Sequence, residues 1–277
     1  MTEHDRIGAR ARGTIKLWFQ ALVPQEQASN AYYASLASHV NLVKRSGTEV
    51  VLHGMPARTL PKGMSIAAFT QHMASELIQD LFMAERVLHA TKTGFDGFLI
   101  SPLQAPGLEA ARTLTEIPVV GYAQAAGALG PSFGSRLGVI GFNERLLPLF
   151  VERIAAHAAR PCIGYEDVKL SYAEVLSLFD GPERMEAVVA ACRRLIDRGA
   201  DVIVPGQMIL AEGLWANGFH RIDDVPILDA LGALVLLGET MVILRRQSAM
   251  VVNRRGYHWA MASDGLKAAV AAIGGKL

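Results

Sequence analysis

The sequence predicts an α/β fold: two similar doubly wound parallel-sheet lobes, related by a pseudo-two-fold, with a cleft between them. The first observation behind this is an internal repeat. Thr93-Gly-Phe-Asp-Gly-Phe-Leu-Ile-Ser-Pro-Leu-Gln-Ala-Pro-Gly-Leu, running on to Ile117-Pro-Val-Val-Gly, is answered by a second stretch. That stretch is Arg198-Gly-Ala-Asp-Val-Ile-Val-Pro-Gly-Gln-Met-Ile-Leu-Ala-Glu-Gly-Leu, running on to Val225-Pro-Ile-Leu-Asp. Each copy reads as a glycine turn, an Asp, a short apolar run, a loop, an amphipathic stretch and an X-Pro strand, which is a βαβ unit. The second observation is that short apolar runs alternate with helical-period stretches along the chain, as in parallel sheets covered on both faces. The third is that the runs are unbroken and bounded by turn residues, the pattern of strands buried on both sides.

The elements follow in order. Residues 1–13 read as a polar tail, 14–19 as a strand, 25–45 as a helix with helical apolar spacing, and 48–52 as a strand ending in His53-Gly-Met-Pro. Residues 65–92 form one long helix closed by Gly94, a glycine suited to a helix C-cap. A strand at 97–101, a helix at 107–114 and a strand at 118–121 complete the first set. The second set runs strand 137–140, helix 144–158, strand 162–168, helix 182–197 and strands 201–204 and 226–228. An apolar helix spans 230–246.

Composition narrows the class of function. A formal charge of +1 gives no basis for nucleic acid or an anionic membrane as partner. Charged residues are 19% and hydrophobic ones 51%, which points to a homo-oligomer with an apolar interface. The N-terminus lacks the apolar core of a secretory signal, and the longest apolar stretch, 232–244, is too short to span a bilayer and contains Glu239. Two cysteines make no disulfide framework, so the expected location is the cytoplasm.

The repeat makes Pro102 and Gln207 equivalent, each just beyond the end of a strand, where such units hold ligands. The segments Gly94-Phe-Asp, Pro106-Gly-Leu-Glu-Ala-Ala-Arg, Ile117-Pro-Val-Val-Gly, Leu137-Gly-Val-Ile-Gly with Arg145 and Pro148, and Gly199-Ala-Asp-Val-Ile-Val-Pro-Gly occur in a characteristic order. With these, the chain resembles the aspartate/glutamate/hydantoin racemase superfamily. The resemblance implies a discontinuous first lobe of residues 14–121 plus 228–277, a second lobe of 122–227, and a small-molecule substrate, a carboxylate or an amide. It also implies a cysteine after each equivalent strand, the two thiols moving a proton on opposite faces of a carbon acid. Here those positions are Pro102 and Gln207, and neither proline nor an amide titrates usefully. Two-thiol racemisation is therefore excluded. What remains is non-thiol isomerase, lyase or hydrolase chemistry on a small carboxylate, cyclic amide or related carbon acid, or a non-catalytic ligand-binding protein on the same fold.

Candidate residues come from strand ends. Gln207 either holds a ligand by hydrogen bonds or tethers its own loop. Ser101 and Gln104 flank Pro102 on the opposite wall, and Tyr122, Asn143 and Met208 complete the expected binding set, with Asn143 at a helix start suited to an anion. His53 is the proton carrier by position, or else is bonded to its own turn. Glu212 is a carboxylate base at the cleft mouth, or an acidic residue near the start of its helix. If both reach one ligand the protein is a catalyst; if both face solvent, it is a binder. Cys162 and Cys192 read as small buried hydrophobes, and His39, His72, His89 and His157 as surface or packing residues. Gly127-Ala-Leu-Gly and Gly138-Val-Ile-Gly lack the dinucleotide spacing, and no metal-ligand spacing occurs, so no cofactor is expected.

Overall fold

The structure is a computed structural model that describes residues 13–26, 28, 30–160 and 162–277. The expected N-terminal tail, apart from Gly13, lies outside the described residues. The first half runs β1 (Ile15–Gln20), α1 (Asn30–Val43), β2 (Thr48–His53), α2 (Ile66–Phe69), α3 (Met73–Lys92), β3 (Gly97–Ile100), α4 (Leu108–Leu114) and β4 (Val119–Gly121). The second runs α5 (Tyr122–Leu129), β5 (Leu137–Gly141), α6 (Leu147–Ala155), β6 (Gly164–Asp167), α7 (Tyr172–Ser177), α8 (Glu186–Asp197), β7 (Val202–Pro205) and α9 (Met208–Ala216). A small hairpin of β8 (Arg221–Ile222) and β9 (Val225–Pro226) leads into α10 (Ala230–Ser248) and α11 (Asp264–Gly274).

The two sheets repeat one topology. In the first the order is β2-β1-β3-β4, with every pair parallel. In the second it is β6-β5-β7, also parallel, and a parallel bridge from Ile203 to Ile227 supplies the fourth position. Both sheets therefore change winding direction beside their first strand, between β1 and β3 and between β5 and β7. Loops leaving the carboxyl ends of these four strands open onto a crevice, the place where such folds hold ligands.

Alternation along each strand distributes the core. Leu17, Phe19 and Leu99 face one side of the first sheet, packed with Leu36, Val40 and Leu234. Trp18, Phe98 and Ile100 face the other, packed with Phe82, Val87 and Leu108. Each such side chain stabilises the fold by about 1.5–3 kcal/mol through burial. Phe19 and Trp18, adjacent on one strand, thus point to opposite faces, as the pleat requires.

α10 carries the chain back, packing against β3, α1 and α5, and α11 packs along α3. Close approach of α10 to the sheet depends on Gly238, where a Cβ would run into the Leu99 side chain. Gly238→Ala is expected to destabilise the protein by about 1–2 kcal/mol in denaturant melts. Overpacking typically costs about 1–3 kcal/mol, and the helix-propensity gain of alanine returns at most about 1. A stabilised variant would mean that Leu99 has room to move.

Three expectations need correction. The helix expected at 65–92 is two helices, because Thr70 bonds back to the carbonyls of Ile66 and Ala67 and the chain is extended at His72 before α3 begins. The strand expected at 226–228 is only the Ile227 bridge, Val225–Pro226 being used in the hairpin. The helices Tyr122–Leu129, Tyr172–Ser177 and Asp264–Gly274 were not anticipated; the last starts at Ser263, whose hydroxyl accepts from Leu266 N. Among the described residues, no helix is long and apolar enough to cross a membrane.

Candidate functional site

The loops after β1, β3, β5 and β7 meet around one pocket of about 70 Å³. Its walls include Ala21, Leu22 and Val23 after β1, Ser101 to Gln104 after β3, Phe142 after β5, and Gly206 to Ile209 after β7. Pro102 and Gln207, the two positions equated by the internal repeat, line this same pocket. At about 10–15 Å³ per water-sized group, the space suits a compact ligand of about five to seven such groups.

The polar content of the pocket is small and specific. Both amide atoms of Gln207 and the hydroxyl of Tyr172 are buried without a hydrogen-bond partner among the described residues. Leaving a buried polar group unpaired costs about 1–3 kcal/mol, and a site that binds something is where that cost is tolerated. Gly141, at the end of β5, leaves room for the Gln207 amide: a Cβ there would sit 2.7 Å from Oε1 of Gln207 and 2.6 Å from Leu147. Gln207 is also the residue before α9, and Met208 and Ile209 of that helix's first turn, where backbone amides lack intrahelical partners, line the same space. Gln104, by contrast, is engaged by Gln79, its Nε2 donating to Oε1 at 3.3 Å.

Among the described residues, nothing in the lining titrates near neutrality, and no Lys, Arg, His, Asp or Glu belongs to it. Burial pushes the Tyr172 phenol up to about 12, and burial with neighbouring Tyr33 and Glu212 raises Tyr32 well above the usual range. Both remain protonated hydroxyls at neutral pH.

Ser101, Pro102, Gln104, Gln207 and Met208 thus line the pocket, whereas four other expected site residues do not. His53 lies flat against Trp18, ring centroids 3.4 Å apart and 3° from parallel, with Nδ1 3.1 Å from the Val51 carbonyl. Burial, aided by Arg86 and His89, lowers its pKa to about 4 against that carbonyl bond, so it is neutral at physiological pH. Glu212 is not at the cleft mouth; it is fully buried one turn into α9 and bonded to Ser35 and His39. Both leading acid/base candidates are packed against other side chains and away from this pocket, Glu212 fully buried and His53 half-buried. Tyr122 is also buried, its hydroxyl donating to the Pro205 carbonyl at 2.7 Å and so tying the end of β4 to the end of β7. Asn143 spends its amide on the Ala67 carbonyl at 3.3 Å, which secures α2 over the pocket.

The cysteines are removed from the site as well. Burial raises Cys162 to about 11 and Cys192 to about 12, and neither lines the pocket. Among the described residues, no group of three or more His, Cys, Asp or Glu side chains is arranged to hold a metal ion. Sequence reasoning missed Tyr32, Ile66, Ala67, Thr70, Leu146, Phe150 and Tyr172, which complete the walls. They lie on helices or at a helix end, where local spacing shows which face is buried but not which neighbour it meets.

The family described as Asp/Glu/Hydantoin racemase matches residues 24–237. A hydantoin racemase of Rhizobium meliloti is 26% identical over 163 residues, covering 58% of this chain and 66% of that protein. One from Pseudomonas sp. (strain NS671) is 25% identical over 167 residues, covering 60% and 66%. The chain therefore aligns over just under two thirds of these relatives' length. Among solved structures, an allantoin racemase from Klebsiella pneumoniae is similar in fold, with a TM-score of 0.72, 23% identity, and coverage of 91% of this chain and 95% of that one.

Proposed function

This chain belongs to the Asp/Glu/hydantoin racemase family, and from that premise we propose that its pocket binds a small uncharged cyclic amide or ureide without thiol-mediated proton exchange. The observation that carries the reading is the Gln207 amide, buried and unpaired among the described residues, in a pocket whose described lining holds no charged residue. A primary amide offers a donor and an acceptor side by side. A cyclic amide presents the complementary pair, so one ligand satisfies both Gln207 atoms. Tyr172 then donates to a second carbonyl, as a ureide provides. The relatives named as hydantoin and allantoin racemases act on ligands of this class, which supports it for this chain.

The absence of a proton carrier among the described lining residues favours a binding protein over a catalyst. Pro102 and Gln207 stand where the family's thiols are expected, and His53 and Glu212 both lie elsewhere. The second reading, an enzyme of non-thiol chemistry, rests on the neutral Tyr172 hydroxyl, which with Gln207 can polarise a carbonyl. It requires turnover of the bound ureide that is lost in Tyr172→Phe.

Titration of the full chain with hydantoin and with pyrrolidin-2-one, followed by NMR, tests the proposal. Saturable binding is expected, with shifts centred on the Gln207 side-chain amide. Two neutral hydrogen bonds are worth about 1–3 kcal/mol together, so Gln207→Ala is expected to weaken binding by about fivefold to a hundredfold. Unchanged affinity in a folded Gln207→Ala variant would reduce Gln207 to a loop tether and remove the basis for an amide ligand.

A further inference from the structure

A second polar cluster lies beside α9, outside the pocket, with Glu212 and His39 buried, Ser35 half-buried and Asp229 exposed. Glu212 accepts a hydrogen bond from Ser35 Oγ at 2.8 Å, and its other oxygen lies 2.8 Å from His39 Nδ1. His39 Nε2 is 3.2 Å from Oδ2 of Asp229. Carboxylates accept, so both ring nitrogens are set to donate and the imidazole is held as a cation. Trp215 stacks on that ring, centroids 4.0 Å apart and 9° from parallel, where an indole face favours positive charge. Asp229 in turn caps α10, its other oxygen accepting from Gly232 N at 2.7 Å. Three elements are thereby joined: α1 from the first half of the chain, α9 from the second, and the start of the returning helix α10.

The same two helices form walls of the ligand pocket. Tyr32, two turns before His39 on α1, lines it, as do Gln207, Met208 and Ile209 at the start of α9, about one turn before Glu212. We propose that the Ser35–Glu212–His39–Asp229 network is a latch that fixes the spacing of α1 and α9, making His39 a positioning residue for ligand binding. The proposal rests on the ligand-binding reading given above. Removing the ring's charge leaves Glu212 buried without a cation, a condition that drives a structure to rearrange or hydrate.

That dependence makes the pocket sensitive to alkaline pH. Burial alone would lower the pKa of His39, but the hydrogen bonds to Asp229 and Glu212 outweigh it and push it up to about 9. The other titratable groups facing the network are Tyr32, beside Glu212, and His220, which borders the small cavity between His39 and Asp229. The folded pKa lies above the ordinary histidine value of about 6.5. The latch therefore contributes its full stabilisation below about pH 6.5, and loses it as the pH rises through about 9.

Pyrrolidin-2-one, which does not ionise in this range, is the probe, titrated into the full chain from about pH 6 to about pH 10.5 while the ¹⁵N shifts of His39 are followed. The expected result is a His39 ring protonated on both nitrogens at neutral pH, with affinity falling about tenfold as the ring deprotonates. His39→Gln is expected to bind about tenfold more weakly at neutral pH and to lose the pH step. Glu212→Gln, which keeps the shape of the carboxylate, is expected to move the step to lower pH. A neutral His39 at pH 7, or affinity that stays level while the ring titrates, overturns the proposal. Should the lactam fail to bind at every pH, the ligand reading fails separately. The latch is then judged by amide exchange at Gln207, Met208 and Ile209, corrected for intrinsic rates. Exchange that accelerates as the ring deprotonates supports the latch, and exchange indifferent to it overturns the proposal.

Discussion

Installing cysteines at both positions 102 and 207 is expected to raise exchange of the C5 proton of hydantoin far above that of the unaltered protein. The two positions line one pocket from the ends of equivalent strands, β3 and β7, so thiols there approach a bound carbon from different walls. A thiol at 207 precedes the first turn of α9, whose free amides and dipole favour the thiolate. A positioned base contributes about 10²–10⁴-fold, so deuterium uptake at C5 should exceed that of the wild type by about a hundredfold or more. Each single variant is expected to exchange the proton on one face, and only the double variant to invert 5-methylhydantoin. The loss of the Gln207 amide raises the concentration of substrate needed. A folded double variant with titratable thiols and no deuterium uptake would show that the pocket does not hold the ring between these walls.

Carboxylates of equal size are expected to be excluded from the wild-type pocket. Butyrate matches pyrrolidin-2-one in heavy atoms but brings a charge into a lining with no cation among the described residues. Desolvation of a buried carboxylate costs several kcal/mol, even after relaxation. The first turn of α9 can return at most about 2 kcal/mol. The balance predicts butyrate binding weaker than lactam binding by about a hundredfold or more, readable as absent shifts of the Gln207 amide in the same NMR titration. Butyrate affinity within about tenfold of the lactam would show that backbone amides suffice to hold an anion, and would favour an amino-acid ligand over a cyclic amide.

Much of this molecule was legible in the chain. Unbroken apolar runs identified the buried parallel strands, and the duplicated βαβ unit indicated that residues after β3 and β7 would belong to one site. The chemistry at positions 102 and 207 also needed no coordinates, because proline and glutamine carry no titratable proton wherever they sit. Those inferences depend on short-range pattern and residue type, which the backbone's fixed periodicities translate directly into faces and strand ends.

Tertiary structure alone decided what each polar side chain was for. His53 sits at a strand end suited to catalysis, yet stacking on Trp18 turns it into a neutral packing residue. Glu212 and His39 are 173 residues apart and meet only because α9 docks on α1. Tyr172 reaches the pocket from a helix whose sequence carries no sign of it. Spacing along a chain specifies which residues share a face, because helix and strand geometry is local. The partner that face meets, and hence the charge, protonation and role of a buried polar group, depends on elements that become neighbours only when the chain has folded.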